Sequence, residues 1–243
     1  MDLILQDKDG FIQNFLKPVN RFSETAILKV SGNEISCLVS SIDNTTVLYS
    51  KYLLPSNVNE EFQINIPNID KLVSSLKIID DNEVNLKINS NNIQYKSNNI
   101  KFRFHLFEDG ILTVPKLNLD KINAFKYDVN FSIESHIINQ LVKSSSIAGD
   151  VNKVYLYTEN NCIYAELTDR TVDNSDMFTF CVVENYNGPP IAEPIPLMLD
   201  AIRSFSALNL NTDVSINNEY GIVQFKITTN QSILQYIVTS VVA

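Results

Sequence analysis

Two stretches, Pro67–Ile79 (PNIDKLVSSLKII) and Pro194–Leu208 (PIPLMLDAIRSFSAL), repeat one apolar spacing. In the first, Ile69, Leu72, Val73, Leu76 and Ile79 recur at helical intervals. In the second, Ile195, Met198, Leu199, Ile202 and Phe205 do so, each 126 positions further on. Apolar residues three and four apart line one face of a helix, so both stretches are expected to be helices with one buried stripe. A second pair lies upstream of them. Phe11, Phe15, Leu16 and Val19 reappear as Ile133, Ile137, Ile138 and Leu141, 122 positions on. Strand-like runs follow in the same way, with Val84–Tyr95 resembling Asp213–Phe225. The economical reading is an internal duplication in the order helix, strands, helix, strands.

Most of the remaining chain alternates apolar and polar residues at period two, as in Ala26–Val30, Ile35–Ser40, Thr46–Leu53, Lys101–Phe107, Lys153–Tyr157, Met177–Val183 and Ile233–Val238. Turn residues such as Ser31-Gly32-Asn33, Ser90-Asn91-Asn92 and Glu159-Asn160-Asn161 punctuate these runs, as in antiparallel hairpins. The expected class is α+β, two similar domains of two helices packed on antiparallel sheet. Their boundaries fall at 1–107 and 125–243, with a connector over 108–124, where Gly110 and Pro115 interrupt the pattern. Pro18 sits inside the first helix and is expected either to kink it or to delay its start.

The chain has 243 residues, 44% of them apolar, enough for a packed core. No run approaches the ~20 apolar residues of a membrane span, and Met1–Asp9 lacks the apolar core of a signal peptide; an intracellular, cytoplasmic protein is expected. Cys37, Cys162 and Cys181 are odd in number and widely separated, and are read as buried reduced thiols. With two histidines and no Cys-x-x-Cys, neither a metal site nor a cofactor is expected.

The formal net charge of -9 argues against a surface that wraps nucleic acid all round, so the placement of the cations matters more than their sum. The helices turn Lys17 and Arg21, Lys71 and Lys77, Lys143, and Arg203 away from their apolar stripes or onto the flanks. At the offsets above, Arg21 matches Lys143 and Lys77 matches Arg203. A sparse positive strip of this kind meets phosphates without reading bases, and gives weak, salt-sensitive, sequence-blind contact.

On these segments, the chain resembles the DNA sliding clamps of the proliferating cell nuclear antigen type, most nearly those of tailed phages. The resemblance is one of architecture over nearly the whole chain, with no short diagnostic motif. It implies a processivity factor and not an enzyme: a homotrimeric ring with helices lining a channel for double-stranded DNA and sheets outside. A clamp loader and a DNA polymerase would be its partners. It makes Lys17, Arg21, Lys71, Lys77, Lys143 and Arg203 channel residues. It places subunit joints on the edge runs Ile100–Phe107 and Met177–Val183, with Phe102, Phe104, Phe178 and Phe180 at the contact. It also puts a partner-peptide pocket at Leu112, Val114, Pro115, Ile237 and Val241.

Two other classes compete. An enzyme would need a phosphate-cradling or nucleophile motif, and six glycines with no G-x-x-x-x-G-K-[ST], G-x-G-x-x-G or G-x-S-x-G supply none. His105 and His136 have no nucleophile beside them, and Asp169, Asp173 and Asp176 lack the Gly and Glu of a calcium loop. A phage tail or baseplate ring protein would share the duplicated β-rich domains without needing cations on its helices.

Overall fold

The computed structural model describes residues 1–58, 60–115, 122, 124–149, 151–172 and 174–241. The chain forms two compact units. One comprises Met1–Ile42, Val47–Lys116 and Thr228–Leu234, and the other Asp43–Thr46, Leu117–Ile227 and Gln235–Ala243. Part of the expected connector, 116–121 and 123, lies outside the described residues, as do Asp150 and Asp173.

The first unit runs β1 (Asp2–Leu5), helix α1, β2 (Ala26–Ser31), β3 (Glu34–Ser40), β4 (Thr46–Leu53), β5 (Phe62–Ile66), α2 (Ile69–Lys77), β6 (Val84–Asn89), β7 (Asn92–Lys96) and β8 (Lys101–His105). Its strands lie in the orders β1-β6-β7-β8 and β5-β2-β3-β4. The second runs β9 (Val129–Ile133), α3 (Ser135–Ser145), β10 (Lys153–Glu159), β11 (Cys162–Leu167), β12 (Phe178–Val183), β13 (Ile195–Met198), α4 (Leu199–Ser206), β14 (Thr212–Asn217), β15 (Ile222–Thr228) and β16 (Ser232–Thr239). Its orders are β12-β11-β10-β13 and β16-β15-β14-β9. Pairing is antiparallel in both units.

The duplication is real, but its offset is 128 in the strands. Ser31 pairs with Glu34 as Glu159 pairs with Cys162, and Leu3 pairs with Leu86 as Phe131 pairs with Val214. The apolar stripes drift from this value for local reasons. Ile133 ends β9, and Ile195 and Met198 belong to β13, so three residues expected in helices are strand residues instead. With α4 starting at Leu199, its buried Ala201, Ile202 and Phe205 match Leu72, Val73 and Leu76 of α2, 129 positions apart.

Helix α1 departs from regularity around Pro18. It comprises an α segment Lys8–Phe11, a π-helical turn Ile12–Leu16 and an α segment Lys17–Asn20. The Lys17 N–H bonds the Ile12 carbonyl, five residues back. Proline cannot donate a helical bond, and its ring crowds the carbonyl four residues before it; a widened turn just upstream relieves both. The helix therefore neither starts late nor ends at Pro18. The turn adds one residue, so α1 matches α3 at 127 before it (Phe11 to Ile138) and at 126 after it (Phe15 to Leu141, Pro18 to Ser144, Val19 to Ser145). All eight of these residues are buried.

The cores beneath the helices differ. In the first unit, Phe11 stacks on Phe15 at 5.1 Å and meets Tyr52 edge-on at 4.9 Å. In the second, Phe205 contacts Phe225 and Tyr236, both at 5.1 Å. An apolar void of about 10 Å³ remains there, lined by Ile138, Leu141, Leu156, Ala165, Val182 and Phe225 among others. No helix of the described residues is long and apolar enough to cross a membrane.

Candidate nucleic-acid interface

In each unit the two helices lie side by side, bury their apolar stripes and leave a polar face outward. In the first unit, α1 and α2 are tied by Asn20 Nδ2 donating to Asp70 Oδ1 at 2.8 Å. Asn68 caps α2 by accepting from the Lys71 N–H at 2.7 Å, and Asp7 caps α1 by accepting from the Gly10 N–H at 2.8 Å. Lys17 is half-buried, its Nζ donating to Gln13 Oε1 at 2.7 Å. Arg21, Lys71 and Lys77 are exposed. Lys17 and Arg21 therefore mark the end of α1, and Lys71 and Lys77 the two ends of α2.

In the second unit, Lys143 is exposed in the last turn of α3. Arg203 is more constrained. Its Nη1 pairs with Asp200 Oδ1 at 2.9 Å and its Nη2 donates to Ser145 Oγ at 2.8 Å, so it joins α4 to α3 and shares its charge with a carboxylate. Asn139 Nδ2 donates to Asn209 Oδ1 at 2.7 Å on the same side.

The proposed cation matches need correction. With the extra residue of the π turn counted, Lys143 stands opposite Lys17, and Arg21 stands opposite Ile147, which is 70% exposed. With α4 beginning at Leu199, Arg203 falls opposite Ser74, not Lys77, and Lys71 falls opposite Asp200. One cation position recurs in both units: Lys17 and Lys143.

The two runs assigned to subunit joints are both at sheet ends, β8 closing one sheet and β12 another. Phe102, Phe178 and Phe180 are half-exposed there. Phe104 is not; it is 3% exposed, because alternation turns it into its own core. Of the residues assigned to a peptide pocket, Leu112, Val114, Pro115 and Val241 are half-buried, whereas Ile237 is a core residue of its strand.

Sequence reasoning missed Lys8, which is 3% exposed and donates from Nζ to the Ile79 carbonyl just past the end of α2. A cation there satisfies an end carbonyl and opposes the helix dipole. It also mistook the environment of two cysteines: Cys37 is buried, but Cys162 and Cys181 are half-exposed. Burial pushes the Cys37 thiol up to about 12.

Among the described residues no group of three or more His, Cys, Asp and Glu side chains could hold a metal ion. Asp169 instead accepts from the N–H and Oγ1 of Thr171, at 3.0 and 2.6 Å, which hold its carboxyl below the usual range. His105 is exposed on β8, and His136 lies 3.1 Å from Glu134.

No protein-family model matches the sequence, and no curated protein matches it. Solved structures do match in fold. A. fulgidus PCNA, in a structure with the C-terminal region of FEN-1 bound, has a TM-score of 0.78 at 12% identity, over 100% of this chain and 98% of that one. PCNA from Entamoeba histolytica gives 0.72 at 12% identity, over 99% and 98%. A putative DNA polymerase III beta subunit from Eubacterium rectale gives 0.72 at 12% identity, over 99% of this chain and 65% of that one. The fold of this chain is the DNA clamp fold, with two similar units of paired helices and antiparallel sheets.

Proposed function

We propose that the chain is one subunit of a sliding clamp, a scaffold and not an enzyme, which encircles duplex DNA and holds a replicative polymerase on it. The observation that carries the reading is the duplication itself: two units in strand register at 128, each setting two adjacent helices with cations outward, in a fold shared with PCNA. Lysines on solvated helical faces reach backbone phosphates with little geometric demand, which suits a protein that must move along DNA.

Assembly would run edge to edge through β8 and β12, since unpaired strand edges invite pairing with another chain. Three copies are the expected number: the chain spans nearly all of the PCNA chains it matches but 65% of the beta subunit. A partner peptide would dock on the connector at Leu112, Val114 and Pro115; A. fulgidus PCNA binds the C-terminal region of FEN-1. The reading extends to a tailed-phage clamp, placed on DNA by an ATP-dependent loader in the host cytoplasm.

Light scattering should give about three times the chain mass, and loader-dependent primer extension should give longer products when the protein is present. Lys17→Glu combined with Lys143→Glu should shorten those products while leaving the thermal melt in place. A ring that assembles but never lengthens products, with its loader and polymerase supplied, points instead to a structural ring protein.

A further inference from the structure

The outer face of the sheet β1-β6-β7-β8 is positive on a chain whose net charge is -9. Leu3, Leu86, Ile93 and Phe104 turn into the core, so alternation turns their neighbours to solvent. Lys87 on β6, Lys96 on β7, and Lys101 and Arg103 on β8 are all exposed there, with His105 next in the β8 row. The register gathers them. Arg103 pairs with Gln94 and Gln94 with Lys87, while Lys96 pairs directly with Lys101. Against these cations the face carries one carboxylate among the described residues, Asp2, opposite Lys87. None of the four Lys and Arg side chains takes part in an ion pair among the described residues.

The matched face of the second unit is neutral. Ser215 stands where the first unit has Lys87, and the one cation on β9, β14, β15 and β16, Lys226, sits directly opposite Asp213. The architecture therefore does not call for cations here. Two lysines directly opposite each other also destabilise a strand pair, and no acid in the first unit's sheet lies beside Lys96 and Lys101 to offset it.

We propose that this face binds a short, extended, acidic segment of a partner protein. Along β8, Lys101, Arg103 and His105 recur at every second residue, about 6.8 Å apart and roughly 14 Å from first to last. An extended peptide presents alternate side chains at the same spacing, so Asp or Glu at every second position meets the row in step. The Arg103 guanidinium offers a carboxylate two parallel donors, and a carboxylate between Lys96 and Lys101 turns their repulsion into two attractions. What flanks the face limits the ligand's length: exposed Asp80, Asp81 and Glu83 precede β6, and exposed Glu108 and Asp109 follow β8. A nucleic-acid duplex laid across the face would run beyond it into those carboxylates. The bases of a single strand would find no Phe or Tyr to stack on, since among the described residues none stands on this face. Ring closure plays no part, because every residue involved belongs to the first unit.

The test titrates the full chain against a fluorescein-labelled peptide of about ten alternating Glu and Ser residues and follows fluorescence anisotropy. A Gln–Ser peptide of equal length, a DNA single strand and a DNA duplex are the other probes. Saturable binding of the Glu peptide is expected, with none of the Gln peptide, and about 1 M salt should abolish it. Lys87→Gln combined with Lys96→Gln should weaken the Glu peptide roughly three- to tenfold without lowering the thermal melt. Lys29→Gln combined with Lys226→Gln removes the same charge from exposed sites elsewhere and should leave binding unchanged. An equal effect of the two double variants, or a wild-type chain that shows no saturable binding, overturns the inference. A DNA probe that binds more tightly than the Glu peptide, and is lost in the Lys87 and Lys96 double variant, assigns the face to nucleic acid and overturns it as well.

Discussion

Matched positions beneath the first helix of each unit hold Phe11 and Phe15 in one and Ile138 and Leu141 in the other. The first pair builds an aromatic cluster with Tyr52; the second leaves the void that Ala165 also lines. Ala165 itself matches Cys37, 128 positions earlier, a larger side chain. One architecture thus fills the same space in two ways, with aromatic rings in the first unit and aliphatic side chains beside a small void in the second.

The largest test of that contrast is truncation. Phe15→Ala should cost about 3–5 kcal/mol in denaturant unfolding, and Leu141→Ala should fall nearer 2 kcal/mol, because the second site already carries a void. Equal losses would remove the contrast in packing. Next comes the π turn. Deleting Asn14 should return α1 to α spacing and bring Pro18 against a helical carbonyl, at a cost of about 3 kcal/mol. Adding Pro18→Ala to the deletion should restore most of that loss. If the deletion alone is silent, the turn is not the proline's accommodation.

The matched Cys37 and Ala165 give a smaller, pH-dependent difference. Cys37 has its folded pKa raised to about 12 from an ordinary 9.0. Its contribution is therefore complete below pH 9 and is lost as pH rises, since only the unfolded chain ionises. At one pH unit above 9 the loss should be roughly 1.4 kcal/mol, and Cys37→Ala should abolish it in alkaline denaturation curves. The smallest effect is expected from Ala165→Cys, which copies the first unit's residue into the void and should add about 0.5 kcal/mol or less at neutral pH.

The duplication was legible because buried stripes survive substitution of one apolar residue for another: Leu72, Val73 and Leu76 announce α2 as clearly as Ile202 and Phe205 announce α4. Its register was not legible. A π turn leaves no mark in an apolar pattern, since Phe11, Ile12, Phe15 and Leu16 satisfy three- and four-residue spacing with or without it. The strand β13 runs straight into α4, so Ile195 and Met198 counted toward a helix that starts after them. These three- to five-residue errors of offset were enough to pair Arg21 with Lys143 and to hide the match with Lys17. Alternation marked β8 and β12 as strands, and the resemblance supplied their place at sheet edges. Which of their phenylalanines point inward was not, because a free edge strand has two faces and the sequence does not name the core side.

Lys8 gives the first unit a property the second lacks at the matched place, where Ser135 stands. Its ammonium is shielded from reagents for as long as the start of α1 stays seated on the end of α2. Amine acylation at Lys8, timed against exposed lysines such as Lys77 and Lys143, would then clock the opening of that seat residue by residue in the intact protein.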